Sequence, residues 1–471
     1  MLTKIRSFFK FEERQTNFSK ESIGGLVTFL AMSYILVVNP GIASGKFSGQ
    51  EAFGIPYGGV FFATAAGAFL ATLLMAFLAN LPIALAPGMG VNAFFIGTIV
   101  GVHGYTWQEA LALSFVGGLI FLIISLTGLR RMLVDAIPNG LKASIGAGIG
   151  FFIAMVGLRL GGIFDIDPVI VGGDYVGSNF SFILGDFSNP VVLLSMFSIL
   201  LIIGLHSSKS KLSNFSFIIS ILTTAIVGLI LGALGVSNMP ELGTFDYSPL
   251  ADIKDVVFVG FFNGLQTAFT SQSVLTALVL IYALLFVDIF DTTGTLVAVG
   301  KAANLEDEEG NIENIDKAMM VDAVGTLVSS TLGTPEITSY VESATGVQAG
   351  ARTGFSNLIV ALLFLVSIAL FPVFQIFTHS SVTVGALVLV GVLMAQQLKE
   401  INWSNLSEAI PAFITIAFMI ITGSIADGIA FGFITYVLVE VVRGNYKKVH
   451  PIIYASSILF ILYVFVNALL I

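Results

Sequence analysis

Residues 81–95 read Leu-Pro-Ile-Ala-Leu-Ala-Pro-Gly-Met-Gly-Val-Asn-Ala-Phe-Phe, in a chain otherwise built of long apolar runs. Two prolines and two glycines in so short a stretch cannot continue a regular helix. The part before Pro87 suits a short extended piece, and the part from Asn92 onwards suits a half-helix. Backbone of this kind is tolerated at membrane depth only where protein or a cavity covers it.

A second stretch later in the chain has the same pattern. Residues 333–347 read Gly-Thr-Pro-Glu-Ile-Thr-Ser-Tyr-Val-Glu-Ser-Ala-Thr-Gly-Val, which predicts an extended piece and then a half-helix starting near Glu342. Gly and Pro in a single membrane helix indicate a kink or close packing. Two such stretches in corresponding positions favour a binding site instead. Their free N–H and C=O groups would suit a planar, hydrogen-bonding heterocycle.

Composition places these stretches in a membrane. The chain has 471 residues, of which 56% are hydrophobic and 10% charged, and its mean hydropathy is +0.97. Soluble domains are about 25% charged. Apolar runs of spanning length recur along the sequence, so we expect a multi-pass protein of the cell (inner or plasma) membrane. The polar, mixed-charge N-terminus shows no cleavable signal peptide.

Fourteen apolar segments account for most of the chain. Their expected bounds are 23–40, 58–80, 82–100, 109–127, 141–160, 190–206 and 214–236, then 273–299, 317–332, 335–350, 354–377, 382–398, 409–424 and 425–442. A polar stretch, 237–271, separates the seventh segment from the eighth. A further apolar stretch, 452–470, is either another span or an interfacial helix, and the sequence leaves both open.

Charge placement supports this segment count. If the N-terminus is cytoplasmic, all lysines and arginines except Lys46, Arg159 and Lys254 lie on the cytoplasmic side, a strong positive-inside bias. Two sets of seven segments then have opposite orientations, which indicates an inverted repeat. The expected organisation is a cytoplasmic tail at 1–22, a first repeat at 23–236, an extracytoplasmic connection at 237–271, a second repeat at 272–443 and a C-terminal apolar segment at 444–471.

Several function classes are excluded or disfavoured. The chain has no cysteine, and its histidines lie far apart without metal-ligand spacing, so we expect no metal and no cofactor. No Walker A motif is present, which argues against ATP-driven transport, and no basic patch suggests nucleic acid. No believable catalytic arrangement is present, and we therefore expect a protein that is not an enzyme.

Acids inside the predicted spans are the second functional signal. Segment 8 contains Asp288 and Asp291, and segment 10 contains Glu336 and Glu342. A charged side chain at mid-bilayer costs roughly 2.5–3.5 kcal/mol on insertion scales, so such acids are functional candidates. No lysine or arginine of these two segments pairs with them. Asp291 and Glu342 are therefore suited to carry a proton, whereas a structural role is equally compatible with Asp288 and Glu336.

Several runs closely resemble the azaguanine-resistance (AzgA-like) branch of the nucleobase–cation symporter 2 family, within the xanthine/uracil permease superfamily. The resemblance covers about residues 15–445. The matching runs are Thr28-Phe29-Leu30-Ala31-Met32-Ser33-Tyr34-Ile35 through Asn39-Pro40, Ala86-Pro87-Gly88-Met89-Gly90-Val91-Asn92-Ala93-Phe94-Phe95, Asp288-Ile289-Phe290-Asp291-Thr292-Thr293-Gly294-Thr295, Tyr340-Val341-Glu342-Ser343-Ala344-Thr345-Gly346, Gly350-Ala351-Arg352-Thr353-Gly354 and Ala426-Asp427-Gly428-Ile429-Ala430-Phe431-Gly432.

The resemblance implies an all-α membrane protein with the uracil-permease-like fold of seven plus seven inverted segments. Segments 1–4 and 8–11 would form a core domain, segments 5–7 and 12–14 a gate domain, and short strands would lie in segments 3 and 10. Substrate would bind between those strands. The substrate would be a purine nucleobase, either guanine/hypoxanthine or adenine, taken up by proton symport.

The resemblance also assigns site residues by motif position. The segment 8 and segment 10 acids that bind the base would be Asp291 and Glu342, and Asp288 would join them in proton coupling. The remaining substrate-binding candidates are Asn92, Ala93, Phe94, Tyr340, Val341, Ser343 and Thr295. Relatives are often dimers, so a homodimer is a further expectation, although the sequence shows no interface.

One departure and one alternative qualify this interpretation. Branch members usually have a Ser/Thr run where this chain has Pro335-Glu336-Ile337-Thr338-Ser339. The extra acid, Glu336, puts the choice of purine in question more than the substrate class. The alternative is another small planar or anionic solute on the same fold, such as uracil, xanthine or sulfate. An anion would require a cationic residue in segments 3, 8 or 10, and these segments contain none.

Overall fold

A computed structural model describes residues 2–45, 54–127, 137–171, 174–240, 247–306, 312–375 and 379–470. Most of these residues are helical. A lipid environment offers no partners for backbone N–H and C=O groups, and a helix satisfies them within one segment. Long apolar runs with few breakers therefore fold as helices wherever the sequence allows it.

The helices follow the predicted segments closely. In the first repeat they are Phe18–Met32 and Ile35–Ala43 (segment 1), Tyr57–Leu74 with the π-helix Met75–Ala79 (segment 2), Met89–Ala93 with the π-helix Phe94–Val102 (segment 3), Trp107–Thr127 (segment 4), Asn139–Leu160 (segment 5), Pro190–Ser207 (segment 6) and Ser216–Ala233 (segment 7). In the second repeat they are Val274–Ala302, Ile315–Leu332, Ser343–Gln348, Phe355–Ala369, Ser380–Ala395, Leu406–Thr422 and Ile425–Val442, for segments 8 to 14.

Shorter elements connect or extend these segments. They are the helices Leu2–Phe8, Ile253–Val256, Val259–Thr267 and Phe371–Gln375, the 3-10 turns Lys211–Phe215, Ser248–Asp252, Gln396–Glu400 and Tyr446–Lys448, and a C-terminal helix Pro451–Leu470. Within the described residues, nine helices are long and apolar enough to cross a membrane. The chain is therefore a polytopic α-helical membrane protein, as the sequence predicted.

Segments 3 and 10 meet through two short antiparallel strands, Leu85–Pro87 and Ile337–Ser339. Ala86 lies opposite Thr338 in the register. Prolines in segment 3 and in segment 10 prevent each of these stretches from forming a continuous helix. Segment 2 ends at Asn80 in the left-handed conformation (φ 52°), which asparagine adopts more readily than most residues. The predicted strands in segments 3 and 10 are thus confirmed.

Polar side chains satisfy the unwound backbone of segment 3. The Thr72 hydroxyl accepts from Leu85 N at 2.9 Å and donates to Leu85 O at 3.0 Å. The Asn357 amide donates to the carbonyls of Leu81 and Ile83 at 2.9 and 2.8 Å. Buried backbone groups without partners are costly. These threonine and asparagine contacts from segments 2 and 11 stabilise an extended chain deep in the protein.

A β-hairpin between segments 5 and 6 was not predicted. Its strands are Phe164–Val171 and Asp174–Leu184, and they pair antiparallel with irregularities in the register. The prediction stopped segment 5 at 160 and resumed at 190, leaving this region without assigned structure. The hairpin lies outside both broken segments and does not alter the predicted segment order.

The C-terminal stretch forms one helix, Pro451–Leu470, that packs against the helices of segments 8 and 14. The Ser457 hydroxyl donates to Phe433 O at 3.2 Å, and Ser456 and Tyr282 share a hydrogen bond through their hydroxyls. The sequence left open whether this stretch spans the membrane or lies at its surface. The structure adds that it docks on segments 8 and 14 as a regular helix.

The helices pack in two groups. Segments 1, 2, 4, 8, 9, 10 and 11 pack mainly on one another and enclose the strand pair, and we call them, with segment 3, the core group. Segments 5, 6, 7, 12, 13 and 14 pack mainly on one another, and we call them the gate group. The boundary between the groups is where the candidate site lies.

Candidate functional site

A cavity of about 980 Å³ lies between the two groups. From the core group it is lined by Asp291, Thr295, Val341 and Glu342, among others. The gate group contributes residues of segments 5, 6, 7 and 12, including Phe217. The cavity is large enough for a small organic molecule. Four of the predicted site residues therefore face a shared space.

Asp291 and Glu342 are the two acids that the core group contributes to this cavity, and each is half-buried. Asp291 lies within the long helix of segment 8, whereas Glu342 lies between the strand and the half-helix of segment 10. Glu342 Oε1 accepts a hydrogen bond from the Tyr34 hydroxyl at 2.6 Å. Among the described residues, neither acid forms an ion pair with a lysine or arginine. The cavity therefore offers two carboxyls to a ligand.

Tyr340 and Ser343 support the strand pair instead of lining the cavity. The Tyr340 hydroxyl donates to Pro87 O at 2.5 Å, and Tyr340 N donates to Ala84 O at 2.9 Å. The Ser343 hydroxyl accepts from Ala84 N at 3.0 Å. Both residues thus tie segment 10 to segment 3 and fix where Val341 and Glu342 point.

Asn92 and Phe94 are fully buried on segment 3, and neither is among the residues lining the cavity. The Asn92 amide nitrogen and oxygen both lack a hydrogen-bond partner. Burying an amide without partners costs free energy. Ala93 is the last residue of the short helix Met89–Ala93. Asn92 therefore has a buried amide donor and a buried amide acceptor, both without a hydrogen-bond partner, beside the strand pair.

A second set of acids is buried away from the cavity. Asp288, Asp322 and Glu336 are each at most 1% exposed, and none lines the cavity. Asp288 Oδ2 accepts from the Thr326 hydroxyl at 3.3 Å, and Asp322 Oδ1 accepts from Ser339 at 3.4 Å. One oxygen of each acid has no hydrogen-bond partner. Among the described residues, no group of acids and histidines has a geometry that could hold a metal ion.

Sequence reasoning missed three residues around the site. Tyr34 contacts Glu342, Phe217 lines the cavity from segment 7, and Asp322 joins the buried acids. Asp322 carried the same signal as Asp288, an acid within an apolar segment. Tyr34 carried no such signal, because its partner is 308 residues away in the chain.

The cavity extends from the two acids to the ends of segments 5 and 12. Lys142 in the first turn of segment 5 and Lys399 after segment 12 line it there, together with His206 at the end of segment 6. Charge placement in the sequence assigns these ends to the cytoplasmic side. Asp291 and Glu342 thus lie deep, whereas the basic residues and one further acid, Glu400, lie at the helix ends.

Spanning helices, two broken segments that pair at depth and a cavity between two packed groups define a membrane transporter. The chain belongs to the nucleobase–cation symporter 2 family, since the family model described as a permease family (Xan_ur_permease) matches residues 19–431. It is a permease, not an enzyme, and a multi-pass protein of the cell membrane.

Similar proteins span the whole chain. It is 39% identical over 467 residues to guanine/hypoxanthine permease PbuG of Bacillus subtilis, covering 98% of this chain and 99% of that one. It is 33% identical over 469 residues to adenine permease AdeP of Escherichia coli, covering 98% and 97%. The transmembrane domain of the cyanobacterial bicarbonate transporter BicA has the same fold, with a TM-score of 0.56 at 17% identity, over 88% of this chain and 96% of that one.

Proposed function

We propose that the protein takes up a purine nucleobase, guanine/hypoxanthine or adenine, by proton symport. The observation that carries the proposal is the pair Asp291 and Glu342, two acids without a basic partner that face one cavity between the core and gate groups. The names of the relatives, guanine/hypoxanthine and adenine permeases, support the substrate class.

The chemistry of the cavity suits a neutral purine. Purine nucleobases carry ring N–H donors, and carboxylate oxygens are strong acceptors for them. Val341 is 47% exposed and offers apolar surface beside Glu342 for the face of the ring. Asn92 has a spare amide but is buried beside the strand pair and does not line the cavity, so its part in recognising the base stays a prediction of the sequence.

An anionic substrate is less compatible with this site. The likeness to the bicarbonate transporter shows the fold alone. Two carboxyls at the deep end of the cavity would repel an anion, and Lys142 and Lys399 line only the parts at the helix ends. A neutral base with N–H donors meets no such repulsion.

Proton coupling follows from the same two acids. Asp291 and Glu342 line the cavity without a basic partner, and acids placed in this way within a membrane protein are suited to bind and release protons. Proton binding from the outside can therefore accompany substrate entry and prepare the site for transport. We further propose that the core group carries the substrate past the gate group, as in other inverted-repeat transporters.

Competition uptake tests the substrate proposal. Cells that express the protein and lack their own purine uptake receive labelled hypoxanthine with an excess of unlabelled guanine, adenine, uracil, xanthine or sulfate. We expect competition by guanine or adenine and none by sulfate. If excess sulfate or uracil inhibits the uptake and no unlabelled purine does, the purine assignment is rejected.

A protonophore tests the coupling. Purine uptake should fall when a protonophore is added, and it should rise when the external pH is lowered in its absence. Full uptake under the protonophore, together with a requirement for sodium, would show that the driving ion is a different one.

Cysteine labelling tests the orientation. The chain has no cysteine, so Lys447→Cys introduces a unique thiol at the predicted cytoplasmic end of segment 14. We expect an impermeant reagent to label it only after the cells are permeabilised. Labelling in sealed cells would place the helix ends that carry Lys142 and Lys399 outside.

A further inference from the structure

Tyr34 lies where the helix of segment 1 is interrupted, between Phe18–Met32 and Ile35–Ala43. Its side chain is 3% exposed, and its hydroxyl donates to Glu342 Oε1 at 2.6 Å. A distance of 2.5–2.7 Å is typical of an O–H···O⁻ bond to a charged acceptor. Glu342 lines the cavity, whereas Tyr34 is not among its lining residues. Tyr34 therefore influences the cavity through its hydrogen bond to Glu342.

The ring of Tyr34 is also held by the gate group. It stacks on Phe217 of segment 7, with ring centroids 4.8 Å apart and an angle of 16° between the planes. Phe217 belongs to the gate group, is 5% exposed and lines the cavity. Tyr34 belongs to the core group. The position of its hydroxyl is thus determined by packing from both groups.

We propose that Tyr34 is a positioning residue for substrate recognition, which engages one oxygen of Glu342 and leaves the other oxygen to accept from the bound base. This inference rests on the proposed function, because it takes Glu342 as the substrate-binding acid. A carboxylate held in one orientation loses less conformational entropy when a ligand binds than a freely rotating one. The tyrosine hydroxyl therefore contributes to affinity without touching the substrate.

Calorimetry on purified variants with hypoxanthine tests the role of the hydroxyl. Tyr34→Phe keeps the ring and its stack on Phe217 but removes the bond to Glu342, and we expect hypoxanthine affinity to fall about tenfold. Tyr282→Phe is the matched control, because it removes a hydroxyl that bonds Ser456 and lines no part of the cavity. Its affinity should equal that of the parent.

Phe217→Leu separates the hydroxyl from the ring packing. It removes the stack and shortens a side chain that lines the cavity, but it keeps the Tyr34 hydroxyl, so the affinity should fall less than in Tyr34→Phe. In uptake assays, Tyr34→Phe should raise KM and leave the maximal rate near that of the parent. Parent-like affinity in Tyr34→Phe, or a loss of the same size in Tyr282→Phe, would overturn the proposal.

A stability cycle without ligand tests the pairing independently of any purine. The melting temperatures of Tyr34→Phe, Glu342→Leu and the double variant are compared with that of the parent. Residues in direct contact give non-additive effects, so the double variant should lose less than the sum of the single losses. Additive losses would refute the pairing. Non-additive losses in a protein that binds neither hypoxanthine nor adenine would keep the pairing and reject the purine function.

Discussion

Asp291 and Glu342 face a cavity, whereas Asp288, Asp322 and Glu336 are enclosed by protein. Both sets come from segments 8 to 10. The enclosed acids meet hydroxyl groups, such as that of Thr326 beside Asp288, and each keeps one oxygen without a partner. The cavity acids meet open space and, at Glu342, the hydroxyl of Tyr34.

The difference separates two uses of an acid in a membrane protein. An acid that faces a cavity can exchange protons and ligands with the solution. An enclosed acid cannot reach a ligand unless the protein rearranges, and its hydroxyl neighbours serve to hold it in place. Substitutions that keep side-chain size but remove the charge should therefore have large effects on binding at the first set and small effects at the second.

Glu342→Gln should have the largest effect on substrate binding. It keeps the size of the side chain but removes a charge-assisted acceptor, which contributes roughly 1.5–3 kcal/mol. Purine affinity should fall by roughly 10- to 150-fold, since about 1.4 kcal/mol corresponds to tenfold. Calorimetry on the purified variant measures this, after size-exclusion chromatography has shown that it is folded. Parent-like binding would remove Glu342 from the site.

Asp291→Asn should be the next most damaging substitution. Within the described part of the chain no hydrogen bond fixes the Asp291 carboxyl, so it is less preorganised than Glu342, which Tyr34 holds. We expect about tenfold weaker binding, the lower end of the range for a bond to a charged group. Uptake should also lose its rise at low external pH. Retention of that rise would assign proton coupling to another acid.

Much of the fold could be predicted from the sequence because a bilayer restricts it. Apolar length, Pro and Gly positions and charge placement defined fourteen segments, and the strands at Leu85–Pro87 and Ile337–Ser339 lie where prolines exclude a helix. The hairpin Phe164–Leu184 escaped this reasoning because it lies between the segments, where membrane rules say little. In the sequence, Val- and Ile-containing runs flank Gly172-Gly173, which is a pattern typical of a hairpin.

The site could be predicted only in part, because the sequence does not show which neighbour faces the cavity. Asp288 and Asp291 are three residues apart, so they lie on adjacent parts of one helix surface. Only the packing of segments 4 and 9 shows that Asp288 is enclosed. The contact of Tyr34 with Glu342 depends on tertiary structure, and no local pattern in segment 1 could have revealed it.

Glu336→Gln should have a much smaller effect on binding than the same change at Glu342. Glu336 is 1% exposed and does not line the cavity; it lies near Asp288 of segment 8 and Ser114 of segment 4. Glutamine keeps the volume and can still bond the Ser114 hydroxyl. Affinity should stay within about threefold of the parent, less than 1 kcal/mol. If Glu336→Gln loses purine binding while Glu342→Gln binds normally, the binding site lies at Glu336, in the run of segment 10 that departs from the branch members.

The smallest effect is expected at an acid that does have basic partners, outside the spanning segments. Glu313, between segments 8 and 9, accepts from Lys10 Nζ and from Arg14 Nη2, both at 2.8 Å. Partial burial opposes its ionisation, but the hydrogen bonds and charges of Lys10 and Arg14 outweigh it and hold the pKa of Glu313 below its usual value. The same contact raises the pKa of Lys10. Partly exposed ion pairs contribute at most about 1 kcal/mol, so Glu313→Gln should lower the melting temperature only slightly at pH 7.

The pH dependence of the change in melting temperature shows whether the ion pairs of Glu313 cause it. A carboxyl with a lowered pKa stabilises the folded state above its usual pKa, and the contribution is lost as the pH falls through the lowered value. The difference in melting temperature between the parent and Glu313→Gln should therefore be complete at pH 7 and shrink as the solution is acidified below about pH 4. Glu12→Gln, an exposed acid of the same N-terminal region, is the control and should show no difference at either pH. An equal loss for Glu313→Gln at both pH values would mean that the side chain acts by packing, and that the ion pairs with Lys10 and Arg14 add nothing to stability.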